Sequence, residues 1–281
     1  MEKPKLHVVS FSGGKDSTAM LLRMIEEGYP IDIICYCDTG LEFPQMEEHI
    51  DKVEKYIGRP ITRIKADKDF MYWATEHKRI VKSEKNIGFK PGETQIGYAY
   101  PSAFSRWCTR ALKLDVIANF KKQYKDYEII EYVGIAADEE YRLKRDGNKK
   151  NVHPLADWGM TEADALKYCY DRGFDWGGLY EIFDRVSCWC CPLQSNAELR
   201  KLRDNFPDLW KKLKQMDAEI QALSKYGDYG NRINFQFHRS LTDLERRFEV
   251  EDEFLAAGKK LRTKEFFQEL TARGIRYKNV V

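Results

Sequence analysis

The stretch Val8-Val9-Ser10-Phe11-Ser12-Gly13-Gly14-Lys15-Asp16-Ser17 constrains the fold of this chain more than any other. A short apolar, β-branched run (Leu6, Val8, Val9, Phe11) breaks into Ser-Gly-Gly, and an amphipathic helix starts at once with Ala19-Met20-Leu21-Leu22. Strand, glycine turn and helix in that order aim backbone N–H groups and the positive helix end at an anion. The two glycines allow close backbone approach, Ser12 and Ser17 offer hydroxyl donors, and Lys15 adds a mobile cation. A plain turn in which Asp16 or Ser17 caps the helix is the alternative. The complete Ser-Gly-Gly-Lys-Asp-Ser string after an apolar strand favours phosphate binding.

The rest of the chain reads as one α/β domain with a helical extension. Apolar strands are expected at Ile31–Cys37, Ile61–Ile64 and Glu128–Gly134, with a helix at Met46–Ile57 between the first two. The second strand runs into Asp38-Thr39-Gly40-Leu41-Glu42-Phe43-Pro44, a turn at the strand end where open parallel sheets bind ligands. Residues 78–100, basic and rich in Gly and Pro, read as an irregular surface loop and a candidate lid. A helix is expected to open at Arg106-Trp107-Cys108-Thr109-Arg110-Ala111-Leu112-Lys113 and to run to about Tyr124. Beyond Asn196 four charged amphipathic helices follow, and Phe235, Phe237 and His238 precede the third. These patterns predict a doubly wound parallel sheet over 1–195 and a helical region over 196–281.

Composition narrows the function classes. No apolar run approaches the ~20 residues of a membrane span, and mean hydropathy is −0.62. A cytoplasmic protein is expected, because Met1-Glu2-Lys3-Pro4-Lys5 leads straight into the first strand. A net charge of +2 neither demands nor excludes nucleic acid. Seven cysteines in such a chain favour metal or thiol chemistry over a disulfide framework. Cys188-x-x-Cys191, followed by Pro192, has the spacing of a metal or iron–sulfur site. Cys35 and Cys37 alternate within a strand and read as core thiols.

The glycine turn lacks the Gly-x4-Gly-Lys-Ser/Thr spacing of a Walker loop. It resembles the pyrophosphate loop (PP-loop) of ATP pyrophosphatases and adenine-nucleotide-handling sulfur enzymes. Asp38-Thr39-Gly40-x-Glu42-Phe43-Pro44, Cys108-Thr109-x-x-Leu112-Lys113, Pro154-Leu155-x-Asp157-Trp158 and Cys188-x-x-Cys191 follow in the order seen in 3′-phosphoadenosine 5′-phosphosulfate (PAPS) reductase-like proteins. The DNA-phosphorothioation branch is especially similar around Cys108. Ala136 and Ala137 stand where PAPS reductases carry two arginines, and no cysteine follows Cys191 where their catalytic thiol lies.

The resemblance implies an adenine-nucleotide site built from Ser10, Phe11, Ser12, Gly13, Gly14, Lys15, Asp16, Ser17, Cys37, Asp38, Thr39, Arg106 and Gly134. It implies further phosphate or substrate contacts from Arg110, Lys113, Arg142 and Arg145. Lys15 and Mg²⁺ would neutralise the triphosphate of ATP while pyrophosphate leaves, with Asp16 or Asp38 holding the ion. Cys108 becomes a third metal ligand beside Cys188 and Cys191, with Cys190 optional. The bound group is read as a [4Fe–4S] cluster, with zinc and plain thiols as alternatives.

Three functions remain open. The first is ATP-dependent sulfur transfer, from sulfide or a donor protein, to a nucleic-acid or small-molecule acceptor. A sulfonucleotide reductase and a non-catalytic nucleotide-binding module with zinc are the others. A homodimer or a place in a multi-protein system is expected, without membrane contact.

Overall fold

The computed structural model describes residues 2–83, 88–146 and 151–276. Its contacts divide the chain into two compact units, 1–67 with 110–189 and 68–109 with 190–281. The expected boundary at residue 195 is therefore not where the contacts divide. Residues 68–109 cluster with the C-terminal helices.

The first unit is built on a five-stranded parallel sheet: β1 (Lys5–Phe11), β2 (Ile33–Asp38), β3 (Thr62–Lys65), β6 (Glu128–Val133) and β7 (Asn151–Val152), in the order β3-β2-β1-β6-β7. Val8 pairs with Ile33 on one side of β1, and Val9 pairs with Tyr132 on the other. Val8, Val9, Phe11, Ile34 and Tyr36 are buried, so the central strands read as apolar runs. The two-residue β7 was not expected; it adds to β6 through Glu131 opposite Asn151.

Helix α1 (Lys15–Glu26) follows β1 directly, and Ala19, Met20, Leu21, Leu22 and Met24 are buried along it. Helix α2 (Pro44–Ile57) opens on a proline at its first turn and stops at Gly58 in the left-handed region. The expected helix after Arg106 is broken into a turn at Trp107–Thr109, a π-helical stretch at Arg110–Leu114 and a regular helix at Asp115–Lys121. The sheet order reverses at β1, whose loop and that of β6 flank the switch point. Open α/β sheets bind ligands in the crevice at such a point.

In the second unit, the expected loop at 78–100 is a hairpin of β4 (Lys78–Ile80) and β5 (Thr94–Ile96), while 84–87 lie outside the described residues. Gln95 is fully buried there, and Tyr229 donates a hydrogen bond to the Ile96 carbonyl. Such a segment is packed structure rather than a loose surface loop. The four expected helices form at Asn196–Asn205, Pro207–Gln221, Leu241–Ala256 and Lys264–Ala272. Ser195, Ser240 and Thr263 cap three of them through side-chain oxygens. Residues 277–281 lie outside the described residues.

Gly134, at the end of β6, marks how tightly the switch point is built. A Cβ there would sit 3.0 Å from the Ser17 Cα and N and 3.1 Å from the Asp16 carbonyl carbon, all backbone of α1. Gly134→Ala should therefore destabilise the fold by about 1–3 kcal/mol, the usual cost of overpacking. A denaturant midpoint unchanged from the parent would show that α1 shifts freely away from β6.

Candidate functional site

The glycine turn sits at the switch point and is braced by its own side chains. Gly13 adopts φ +76°, and a Cβ on it would lie 2.6 Å from the Met46 sulfur, so only glycine fits. Ser17 is buried; its hydroxyl donates to the Gly14 carbonyl (3.1 Å) and accepts from the Ser12 N–H (3.1 Å). Ser17, expected to donate to phosphate, is thus a brace for the loop, whereas Ser12 is exposed. Ser10 and Phe11, also expected at the nucleotide, have committed side chains. The Ser10 hydroxyl donates to Glu131 (2.7 Å), and Phe11 is buried in the core.

A segment far along the chain completes the turn. The Trp176 indole N–H donates to the Gly13 carbonyl (2.7 Å), and the Tyr180 hydroxyl accepts from the Lys15 backbone N–H (2.9 Å). His49 stacks on Trp176 with ring centroids 4.4 Å apart and meets the Thr18 hydroxyl at 3.0 Å. Thr18 in turn donates to the Gly13 carbonyl (3.3 Å), which places the imidazole proton on Nε2. Nothing in local sequence marks Trp176, Tyr180 or His49 as partners of the turn. Trp176-Gly177-Gly178 was visible only as part of a motif order.

The Lys15 ammonium lies 2.9 Å from Asp16 and 2.7 Å from Glu162, and its side chain is only 11% exposed. Burial alone would lower its pKa, but the hydrogen bonds it donates to Glu162 and Asp16 outweigh that and raise it. Burial raises the Asp16 carboxyl above its ordinary range, against the pull of Lys15. Asp16, Glu139 and Glu162 bring carboxylate oxygens within 4.8 Å of one another, a donor set that suits a hard divalent cation. Sequence reading reached Asp16 and missed Glu139 and Glu162, which join it only through space.

Asp38, the other expected metal ligand, is placed differently. It pairs with Lys65 (2.9 Å) and accepts from the Gly40 N–H (2.6 Å). Thr39 is buried and donates to Glu42 (2.8 Å), and the Cys37 thiol donates to the Leu112 carbonyl (3.3 Å). Lys113 approaches Glu42 at 3.8 Å, so the π-helical stretch lies beside the loop after β2. Arg110 is 80% exposed, and Arg142 is paired with Glu139 at 2.7 Å. Arg145 lies over the Tyr141 ring. Through Glu139, Arg142 thus reaches the acidic trio beside the glycine turn, whereas Arg106 belongs to the second unit.

The thiols partition between the units. Cys35 lies in an apolar cluster with Leu6 and Val8, and buried Cys169 faces the Lys15 carbonyl at 3.6 Å. Cys108 and Cys191 share the second unit, where burial first and the Cys191 thiol second raise the Cys108 pKa. Cys190 is buried in the same unit and acts on Tyr100. Cys188 falls in the first unit, tied to Cys191 by the two-residue spacing alone. None of the seven forms a disulfide. Two half-buried thiols of one unit, neither in a disulfide, fit a thiophilic metal or an iron–sulfur cluster.

Residues 6–88 match the phosphoadenosine phosphosulfate reductase domain family, a span that holds the glycine turn and the loop after β2. Over that span the chain is similar to a PAPS-reductase domain. It is similar to two proteins of Methanocaldococcus jannaschii. Uncharacterized protein MJ0066 is 27% identical over 237 residues, and uncharacterized protein MJ0973 is 26% identical over 226. Those matches cover 81% and 78% of this chain, but only 44% and 47% of the archaeal proteins. The chain thus spans less than half the length of either. A 37.8 kDa protein of Escherichia phage 186 is 25% identical over 289 positions, covering 87% of this chain and 83% of its own. Among solved structures, the U34-tRNA thiolase NcsA of Methanococcus maripaludis, with its [4Fe–4S] cluster, aligns at a TM-score of 0.36. The identity is 13%, over 80% of this chain and 73% of NcsA, too loose a likeness to carry function. Among the described residues, no helix is long and apolar enough to cross a membrane.

His49 gives the first unit a pH signature. Burial first, and Lys52 second, push its pKa from 6.5 down to about 3, against the opposite pull of Asp175. Below pH 6.5 the unfolded chain binds a proton that the folded chain refuses. Stability from this group is therefore complete above pH 6.5 and lost as pH falls toward about 3. The slope contributed is at most ~1.4 kcal/mol per pH unit. Denaturant midpoints of parent and His49→Gln measured from pH 7 to 4 should converge on acidification. Parallel curves would mean that His49 is protonated while folded.

Proposed function

We propose that this chain is an ATP-dependent sulfurtransferase, in which the glycine turn activates an acceptor and the Cys108–Cys191 pair serves the sulfur. The observation that carries this reading is the charge arrangement at the turn. Lys15 is held by Asp16 and Glu162 beside a loop shaped for phosphate, and Glu139 completes an acidic trio. A metal-bound triphosphate satisfies both charges at once: the cation takes the carboxylates, and the released Lys15 ammonium takes phosphate oxygens. A sulfonucleotide alone brings only negative charge to the same carboxylates. Together with Ala136 and Ala137 in place of an arginine pair, that favours ATP over PAPS.

The chemistry needs no protein nucleophile for its first step. An acceptor oxygen attacks the α-phosphorus of ATP, the new P–O bond forms, and the bond to pyrophosphate breaks. Lys15, backbone N–H groups of the turn and the positive end of α1 stabilise the charge that develops. A donor of sulfide-level sulfur then forms a C–S bond as the C–O bond breaks, and AMP leaves with the oxygen. No electrons are exchanged. A [4Fe–4S] cluster, when bound by Cys108 and Cys191 with Cys188 and Cys190 as further candidate ligands, would supply a place to hold sulfide; zinc would supply only structure.

The two half-reactions separate by mutation. Lys15→Ala should lower acceptor-dependent pyrophosphate release by about 10²–10³-fold, leaving the denaturant midpoint close to the parent value. Cys108→Ser and Cys191→Ser should keep pyrophosphate release and lose both iron content after anaerobic purification and incorporation of labelled sulfide into product. Full pyrophosphate release by Lys15→Ala would remove the turn from the chemistry. Full sulfur incorporation by either serine variant would remove the thiols.

A further inference from the structure

The phosphate loop and the thiols leave one cavity of the second unit unexplained. It holds about 370 Å³, within the ~300–1,000 Å³ of small-ligand sites. Its walls are residues 101–104, 192–194 and the turn 236–239. Phe104 is 89% exposed. Its ring centroid lies 6.1 Å from that of Phe237, which meets the His238 ring edge-on at 4.7 Å. Singly exposed apolar rings are ordinary, but aromatic faces grouped around one opening are not.

The turn is stiff, and two of its buried polar atoms are unmet. Gln236 and Arg239 exchange backbone hydrogen bonds, and Asn234 Nδ2 donates to the Phe237 carbonyl (3.3 Å). Gln236 Nε2 donates to the Gln194 carbonyl (3.0 Å); a carbonyl only accepts, so the amide orientation is fixed and Oε1 remains an acceptor. Gln236 Oε1 and Arg239 Nε are both buried, and neither has a hydrogen-bond partner. Gln236 and Arg239 also line the cavity, and an amide and a guanidinium beside aromatic rings suit the edge and the face of a heterocyclic base.

Charge points the same way. The second unit holds 25 Lys and Arg against 18 Asp and Glu, a formal +7, while the first holds 22 against 27, a formal −5. The near-neutral whole conceals a cationic half suited to a polyanion. The cavity walls also lead into the thiols, since Phe104 precedes Cys108 by four residues and Pro192 follows Cys191 directly.

We propose that this cavity receives an unpaired base of single-stranded nucleic acid, stacked on Phe104 and Phe237 and read by Gln236 and Arg239. Resting on the sulfurtransferase reading above, that base is the acceptor.

The test is binding by the full chain, without ATP or sulfide, to a short fluorescein-labelled single-stranded RNA of mixed sequence, its DNA counterpart and the matching RNA duplex. The single strands should bind more tightly than the duplex, the stronger of the two arms identifying RNA or DNA. Phe104→Ala, a change at an exposed position, should weaken single-strand binding by about tenfold or more, and Phe104→Trp should restore it. A 2-aminopurine in the strand should be quenched by the parent and not by Phe104→Ala. Equal affinity for duplex and single strand, or a Phe104→Ala variant that binds like the parent, would overturn the proposal. So would Phe104-dependent self-association without oligonucleotide binding, which would make the cavity a contact between copies. Because no ATP is present, failure here leaves pyrophosphate release untouched, and failure of the Lys15→Ala experiment leaves this binding untouched.

Discussion

The Gly13 carbonyl is held by two donors, the Trp176 indole at 2.7 Å and the Thr18 hydroxyl at 3.3 Å, and the phosphate loop keeps its shape because of them. A loop that offers N–H groups to an anion cannot also spend them all on its own backbone. Its rigidity must come from the carbonyl side and from side chains. Trp176 is itself strained, with φ +52°, and is followed by two glycines at φ +58° and +81°. A non-glycine residue in that region is sparsely populated unless its surroundings hold it. Here those surroundings are the His49 ring and the Gly13 carbonyl, so the strained segment and the loop fix each other.

That mutual support explains why His49 stays neutral. Its Nε2 is consumed by Thr18 and its Nδ1 is buried without a hydrogen-bond partner. A proton on Nδ1 would place a charge in an apolar wall beside Trp176 and Phe174. Lys15, by contrast, is buried in part, yet its hydrogen bonds to Glu162 and Asp16 outweigh that burial and raise its pKa. The turn therefore has one face where charge is refused and one where charges of both signs are concentrated. A triphosphate with its cation matches the second face without disturbing the first.

How much of this was legible depended on whether a signal was local. β1, the glycine turn and α1 are contiguous, and Val8, Val9 and Phe11 announce the strand as clearly as Ala19 to Met24 announce the helix. The later helices were legible for the same reason, each having its own apolar stripe and three of them a side-chain cap. The hairpin at 78–96 was misread because its Gly and Pro residues signal turns, whereas Gln95 is buried only by packing within the second unit. β7 is two residues long, too short for any period. Glu139 and Glu162 lie in polar stretches that look like solvated surface. Ser17 looked like a phosphate donor because local sequence cannot show that its hydroxyl is already bonded on both sides.

The thiols divide along physical lines that bear on which sulfur chemistry the chain can run. A cysteine that attacks as a nucleophile needs a stabilised thiolate and access to solvent. Burial first of all pushes Cys35 and Cys37 up to about 11 and Cys169 up to about 12, the opposite of activation. Cys169 packs against the backbone of the very lysine that serves the phosphate loop, yet in that setting it is inert filling. Thiol-based chemistry therefore falls to Cys108 and Cys191 in the second unit and to Cys188, whose two-residue spacing in sequence pairs it with Cys191. Paired thiols of that kind favour metal ligation over a lone attacking thiolate. The sulfur would then be carried rather than generated by the protein, consistent with a phosphate loop whose groups only position and neutralise charge.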